Sequence, residues 1–202
     1  MIPKLTVEQK ITAFVNKYSV YSIDQDGHKG PLVALAQQKR LAFKEKVIFY
    51  ADIEKTQPIF TFRAEKVFDV HGKYIVEDMQ GNAIGAFRKA FKKSLFKSTW
   101  NILDSNDQPN ITIAENSLTL ALFRRFAGFL PIVGDIVELI VLFLRYHFTF
   151  TDAATGQQVG KYQKTTLFRD HYTLSMTDES YNAQDWRVLA AMAVALDALQ
   201  SR

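Results

Sequence analysis

Between Asp78 and Asp104 the chain holds no acidic residue, and in that window stand Arg88, Lys89, Lys92, Lys93 and Lys97. Cations gathered without counter-ions draw anions: phosphate headgroups, nucleic acid or acidic partners. On an extended strand they divide, Arg88 and Lys92 facing one way, Lys89 and Lys93 the other. Phe87, Phe91, Phe96 and Trp100 interleave with them, as aromatics do in proteins that stack single-stranded bases. Here the aromatics fall like core positions, and the second half of the chain is acidic, so nucleic acid is not the expected partner. The alternative for the lysines is a solvated hairpin whose charges blunt a sheet edge.

Other chemistry-bearing patterns are missing. His28, His71, His147 and His171 are scattered without metal-ligand spacing, and there is no cysteine. Thiol catalysis, disulfides and thiolate-bound metals are therefore excluded. Asp104 and Glu115 stand at the first and last positions of an EF-hand-length loop. Pro109 occupies the place where that loop needs glycine, and a strand should follow, so calcium is not expected. There is no G-x-S-x-G, no Walker loop and no G-x-G-x-x-G. Gly81-Asn82-Ala83-Ile84-Gly85 lies on a hairpin rather than at a helix start, which makes it no phosphate cradle. The expectation is a protein that is not an enzyme and uses no cofactor or metal.

The elements that must carry these residues are mostly short strands. The 202 residues are 48% hydrophobic and 23% charged, the composition of one globular domain, read as residues 1–202. Residues 1–100 hold 17 Lys/Arg and 10 Asp/Glu, a balance of +7; residues 101–202 hold 8 and 11, a balance of −3. Runs of alternating residues at Tyr18–Ile23, Val47–Tyr50, Ile59–Arg63, Lys73–Glu77, Ala83–Phe87, Thr99–Leu103, Ile111–Ala114, Tyr146–Thr151, Val159–Tyr162 and His171–Met176 are bounded by Asp, Asn and Gly. That is hairpin chemistry. Tyr74–Asp78 with Gly81 and Ile84-Gly85 echoes Phe148–Asp152 with Gly156 and Val159-Gly160. An antiparallel meander built twice suits a closed barrel. Lys39–Lys46 reads equally as helix or strand.

Two segments break the strand pattern. Val188–Leu196 is nine consecutive apolar residues, rich in alanine, with Asn182 or Asp185 able to cap a helix start. A helix apolar on every side must be enclosed, and this one is shorter than the ~20 residues a bilayer needs. It is expected to be a core helix over 183–200, threading the barrel. The second segment, 117–145, contains Pro131 and Gly134 with Asp135 and Glu138, which oppose a membrane span. It reads as an apolar helical hairpin inserted between strands. Arg124, Arg125, Phe126, Phe129, Leu130, Ile132, Ile136, Ile140 and Phe143 would meet a membrane or a partner, with Arg145 also at headgroup level; the alternative is that the insertion packs against the outside of its own barrel. The fold class is mainly β with α: a closed antiparallel barrel of about twelve strands around a hydrophobic C-terminal helix, with that insertion.

Phe68-Asp69-Val70-His71-Gly72-Lys73-Tyr74-Ile75-Val76-Glu77-Asp78, the following Gly81–Gly85, the Trp100 strand and the closing Trp186-Arg187-Val188-Leu189-Ala190-Ala191 helix resemble the LURP-one-related proteins, over about residues 10–200. These belong with the tubby C-terminal domain and the phospholipid scramblases. The resemblance implies a twelve-stranded antiparallel barrel around a hydrophobic C-terminal helix. It also implies a phosphoinositide-binding precedent, since tubby domains hold those headgroups through basic residues on the barrel wall. Arg88, Lys89, Lys92 and Lys93 are the nearest candidates here. Scramblases carry a cysteine-rich palmitoylated segment that this chain lacks, a role the 117–145 insertion could take over. The functional expectation is peripheral binding to anionic phospholipid or phosphoinositide membranes. The alternative is a scaffold or homo-oligomer that uses the insertion as its interface. The start MIPKLTVEQKITAF lacks the features of a secretory signal, so a cytoplasmic location, peripheral on the membrane, is the expectation.

Overall fold

The computed structural model describes residues 1–11, 15–39, 46–65, 72–90, 98–116, 147–166 and 170–199. Twelve strands run in chain order: β1 Ile2–Ile11, β2 Val15–Ile23, β3 Lys29–Lys39, β4 Lys46–Tyr50, β5 Pro58–Ala64, β6 Lys73–Asp78, β7 Ala83–Lys89, β8 Thr99–Leu103, β9 Pro109–Glu115, β10 Phe148–Asp152, β11 Gln158–Lys164 and β12 Asp170–Met176. Two helices follow, α1 Asp178–Asn182 and α2 Trp186–Ala198. Each strand pairs antiparallel with its neighbours in sequence, and β1 pairs with β12 to close the barrel. Closure leaves no edge strand to protect.

Alternation along each strand sends one face inward. Trp100 and Ile102 in β8, Phe60 and Phe62 in β5, and Phe148 and Phe150 in β10 are all buried. They surround α2, in which Val188 through Leu196 are buried without a break. A helix enclosed on every side has to be narrow, and its alanines leave room for the aromatics of the wall. Phe49 stacks on Phe60 with ring centroids 4.2 Å apart, and Trp186 meets Phe60 edge-on at 5.8 Å. Phe62, Tyr74, Phe87 and Trp100 continue the contact around the wall. Asp185 caps α2: its carboxylate accepts from the Arg187 backbone amide at 2.8 Å and pairs with the Arg187 guanidinium.

The connections at the end where α2 enters share one local solution. Asp24, Asp78 and Asp104 each turn a carboxylate oxygen back onto the amides two and four residues ahead, at 2.8–3.0 Å. Asp152 holds Ala154 and Thr155 in the same manner, and Asp52 holds Thr56 and Gln57. A carboxylate accepting backbone N–H groups satisfies donors that a tight reversal would leave unpaired.

Two strands, β1 and β3, are not among those read from alternation. Both contain proline, Pro3 and Pro31, which weakens a strand pattern because proline donates no ladder bond. In each case the proline sits at an irregularity in pairing: the register shifts between Pro3 and Leu5, and again opposite Tyr21–Ile23 where Pro31 lies. The ambiguous Lys39–Lys46 resolves at its two ends, with β3 closing on Lys39 and β4 opening on Lys46. The 117–145 insertion lies outside the described residues.

Candidate functional site

β7 carries the described part of the basic window. Phe87 is fully buried, so its neighbours Ala86 and Arg88 turn outward. In register, Arg88 lies between Lys73 of β6 and Asn101 of β8. Lys73 is anchored by Glu65 at 3.2 Å and Asp107 at 2.8 Å, and the bond to Asp107 raises its ammonium pKa. Lys89 takes the other face: its Nζ lies 5.6 Å from the centroid of the Trp100 ring, within range of a cation–π contact. Arg88 and Lys89 therefore do not share a face, as strand alternation requires. Lys92, Lys93 and Lys97 lie outside the described residues, as do Arg124, Arg125, Phe126, Phe129, Leu130, Ile132, Ile136, Ile140 and Phe143.

Topology brings these segments together in one respect. Lys89 ends β7 and Thr99 opens β8; Glu115 ends β9 and Phe148 opens β10. All four strand ends lie at the barrel end opposite the Asp-headed turns. β8 and β9 are neighbours, so the basic window and the apolar insertion leave the barrel from the same end, one hairpin apart.

A polar cluster also sits at that end, inside the wall. Asp197, in the last turn of α2, accepts from the Tyr18 hydroxyl and the Tyr172 hydroxyl, each at 2.9 Å. Gln9 donates to the Tyr18 hydroxyl at 3.2 Å. Tyr162 stacks on Tyr172 with centroids 5.3 Å apart, and its buried hydroxyl has no partner among the described residues. Burial raises the Asp197 carboxyl pKa, against the two tyrosine bonds that lower it. Burial likewise raises Tyr18 and Tyr172, and the adjacent carboxylate adds to it. Each carboxylate oxygen accepts one tyrosine hydroxyl, so the cluster fastens the helix terminus to β2 and β12. The single Asp197 in a greasy helix was the available signal for it. Nearby, His147 at the start of β10 points Nε2 at the Lys164 carbonyl oxygen, 3.4 Å away, and burial lowers its pKa. Lys164 is itself buried and bonded to Asp170 at 2.7 Å.

Asp24, Asp26 and His28 bring three potential ligand atoms within 4.8 Å of one another. They are exposed on one turn, and Asp24 Oδ1 is already engaged by the Asp26 and His28 amides. The trio is accounted for by turn formation.

A barrel of this topology around a buried terminal helix agrees with the comparison of the chain with known families, in which the LURP-one-related family model matches residues 33–197. The chain belongs to the LURP-one-related family. No curated protein is similar enough to the chain to count as a match. The match runs from within β3 to the last turn of α2, so it takes in the wall from β3 to β12 and the central helix, and leaves out β1 and β2. Among the described residues no helix is long and apolar enough to cross a membrane.

Proposed function

We propose that this LURP-one-related protein is a non-enzymatic barrel that binds anionic phospholipid membranes peripherally. One observation carries the reading: the strand topology makes the basic window and the apolar insertion leave the barrel from one end. Cations for headgroups and apolar side chains for the acyl boundary are the two requirements of an interfacial anchor, and here they belong to neighbouring connections. The filled interior supports the same reading over carriage of an apolar ligand. α2 occupies the lumen that such a carrier must keep open.

The test is co-sedimentation with vesicles of phosphatidylcholine and phosphatidylserine. Binding is expected at low salt and should weaken as salt rises. Each basic residue near an anionic surface contributes ~1 kcal/mol, so neutralising Lys92 and Lys93 together should weaken binding about 30-fold. Absent binding at low salt, or binding indifferent to the double substitution, overturns the reading. In that outcome, a dimer seen by light scattering that dissociates when Ile136 and Ile140 are replaced by aspartate would assign the insertion to a protein interface instead.

A further inference from the structure

The two ends of the barrel differ sharply in charge. The turns 24–28, 51–57, 78–82, 104–108 and 152–157, together with 177–187 at the helix entrance, form one end. They hold eleven of the chain's 21 acidic residues and two of its 25 basic ones, a balance of −9. The whole chain carries +4, so the remaining residues, wall and opposite end together, carry +13; among them Lys4 and Lys73 pair with Asp178 and Asp107 of the acidic end. The acids are not interchangeable decoration. Five of them are the aspartates that build the turns, so folding itself gathers negative charge there.

We infer that the protein docks on anionic lipid end-on, with the strand ends Lys89, Thr99, Glu115 and Phe148 toward the bilayer and the Asp-headed turns pointing away. The inference rests on the lipid-binding reading above and adds its geometry. The reason is screening. The Debye length is about 8 Å at physiological ionic strength, whereas α2, which enters among the Asp-headed turns and ends at the Asp197 cluster of the opposite end, spans about 20 Å over its thirteen residues at ~1.5 Å per residue. End-on docking holds the acidic ring beyond the reach of the surface potential. Docking on the wall brings part of that ring within it, and docking by the opposite end brings all of it. One feature opposes this choice: Met1, Ile2, Ile53 and Met79, the exposed large apolar side chains among the described residues, lie at the acidic end. They are four side chains on a ring that carries eleven acidic residues, and burying them in the bilayer would take those charges with them.

The absence of cysteine allows a direct test on the full chain. Single cysteines at Ala90 and Thr165 report the proposed membrane end, and at Gln80 and Ala154 the acidic end. Ala90 and Gln80 belong to the β7 side of the barrel, Thr165 and Ala154 to the β11 side. Each variant carries an environment-sensitive fluorophore and is bound to equimolar phosphatidylcholine–phosphatidylserine vesicles. Labels at Ala90 and Thr165 should shift to the blue and be quenched by brominated lipid. Labels at Gln80 and Ala154 should stay open to iodide. Protection of Ala90 with Gln80, or of Thr165 with Ala154, means wall docking and overturns the orientation while leaving lipid binding intact. Protection of Gln80 with Ala154 alone overturns it as well. Failure of every variant to co-sediment overturns both the orientation and the reading beneath it. The triple variant D26K/E54K/E179K changes three exposed acids that hold no turn, and it should bring Gln80 and Ala154 into contact with lipid. An unchanged labelling pattern in that variant refutes charge as the orienting force.

Discussion

Asp197 is an acidic residue largely buried at the end of the central helix. It sits in the last turn of α2 and accepts from the Tyr18 and Tyr172 hydroxyls. Because burial raises its pKa in the folded state, the native protein holds this proton more tightly than the unfolded chain. Stability contributed through Asp197 is therefore greatest below the unfolded value near 4 and falls as pH rises through the folded value. Asp52, Asp78 and Asp152 act with the opposite sign, since hydrogen bonds lower their pKa and their contribution is lost as pH falls. Comparing Asp197→Asn with the parent isolates the first effect. The stability difference, from urea melts at several pH values, should move in favour of the variant as pH rises from about 4 to 7. Parallel pH profiles would disprove a buried, proton-retaining Asp197. Gly85 is a second residue with one physical reason. A Cβ built there would lie 2.5 Å from Val188 Cγ2, so β7 and α2 approach as closely as glycine permits. Gly85→Ala should cost about 1–3 kcal/mol by overpacking. Adding Val188→Ala should recover part of the loss if that contact is the cause, and no recovery would place the strain elsewhere.

At the scale of elements, α2 depends on its start. Asp185 accepts from the Arg187 amide at 2.8 Å and the Arg187 guanidinium at 2.6 Å, and the Arg187 bond lowers its pKa. Removing a capping side chain costs about 0.5–2 kcal/mol. Asp185→Ala should destabilise the barrel by that amount in thermal melts, while Asp185→Asn, which keeps the acceptor, should lose less. Equal losses would mean that the ion pair matters and the cap does not. The echo between Tyr74–Gly85 and Phe148–Gly160 has a structural counterpart here. Both are hairpins whose first strand ends on an aspartate turn and whose second strand carries a glycine at a tight contact. Gly85 faces Val188, and a Cβ built on Gly160 would lie 2.9 Å from Met176 Cγ and 3.0 Å from the Ser175 carbonyl oxygen.

For the whole molecule, closure and polarity matter most. Every strand has two neighbours, and α2 runs through the lumen with Val188 through Leu196 buried. The outside is divided by charge, because one end is assembled from aspartate turns and the other receives the connections rich in lysine, arginine and apolar residues. Loss of vesicle binding at high salt and loss of end-on orientation should therefore occur together. At 1 M ionic strength the Debye length shrinks to about 3 Å, and neither charge term survives at useful range.

Periodicity, turn residues and the alanine-rich apolar run determined by themselves that this is an antiparallel β protein with a helix at its core, since those signals arise from neighbours in sequence. The Trp186–Ala198 helix falls within the 183–200 expected for it, with Asp185 as its cap. β1 and β3 were illegible locally because Pro3 and Pro31 interrupt them, and only pairing with β12, β2 and β4 makes them strands. Strand alternation separated Arg88 from Lys89 in advance. Linear order could not show that Lys89 packs over Trp100, that Asp197 meets Tyr18 and Tyr172, or that aspartates more than a hundred residues apart ring one opening. Those are relations across the barrel, and they exist only once the sheet has closed.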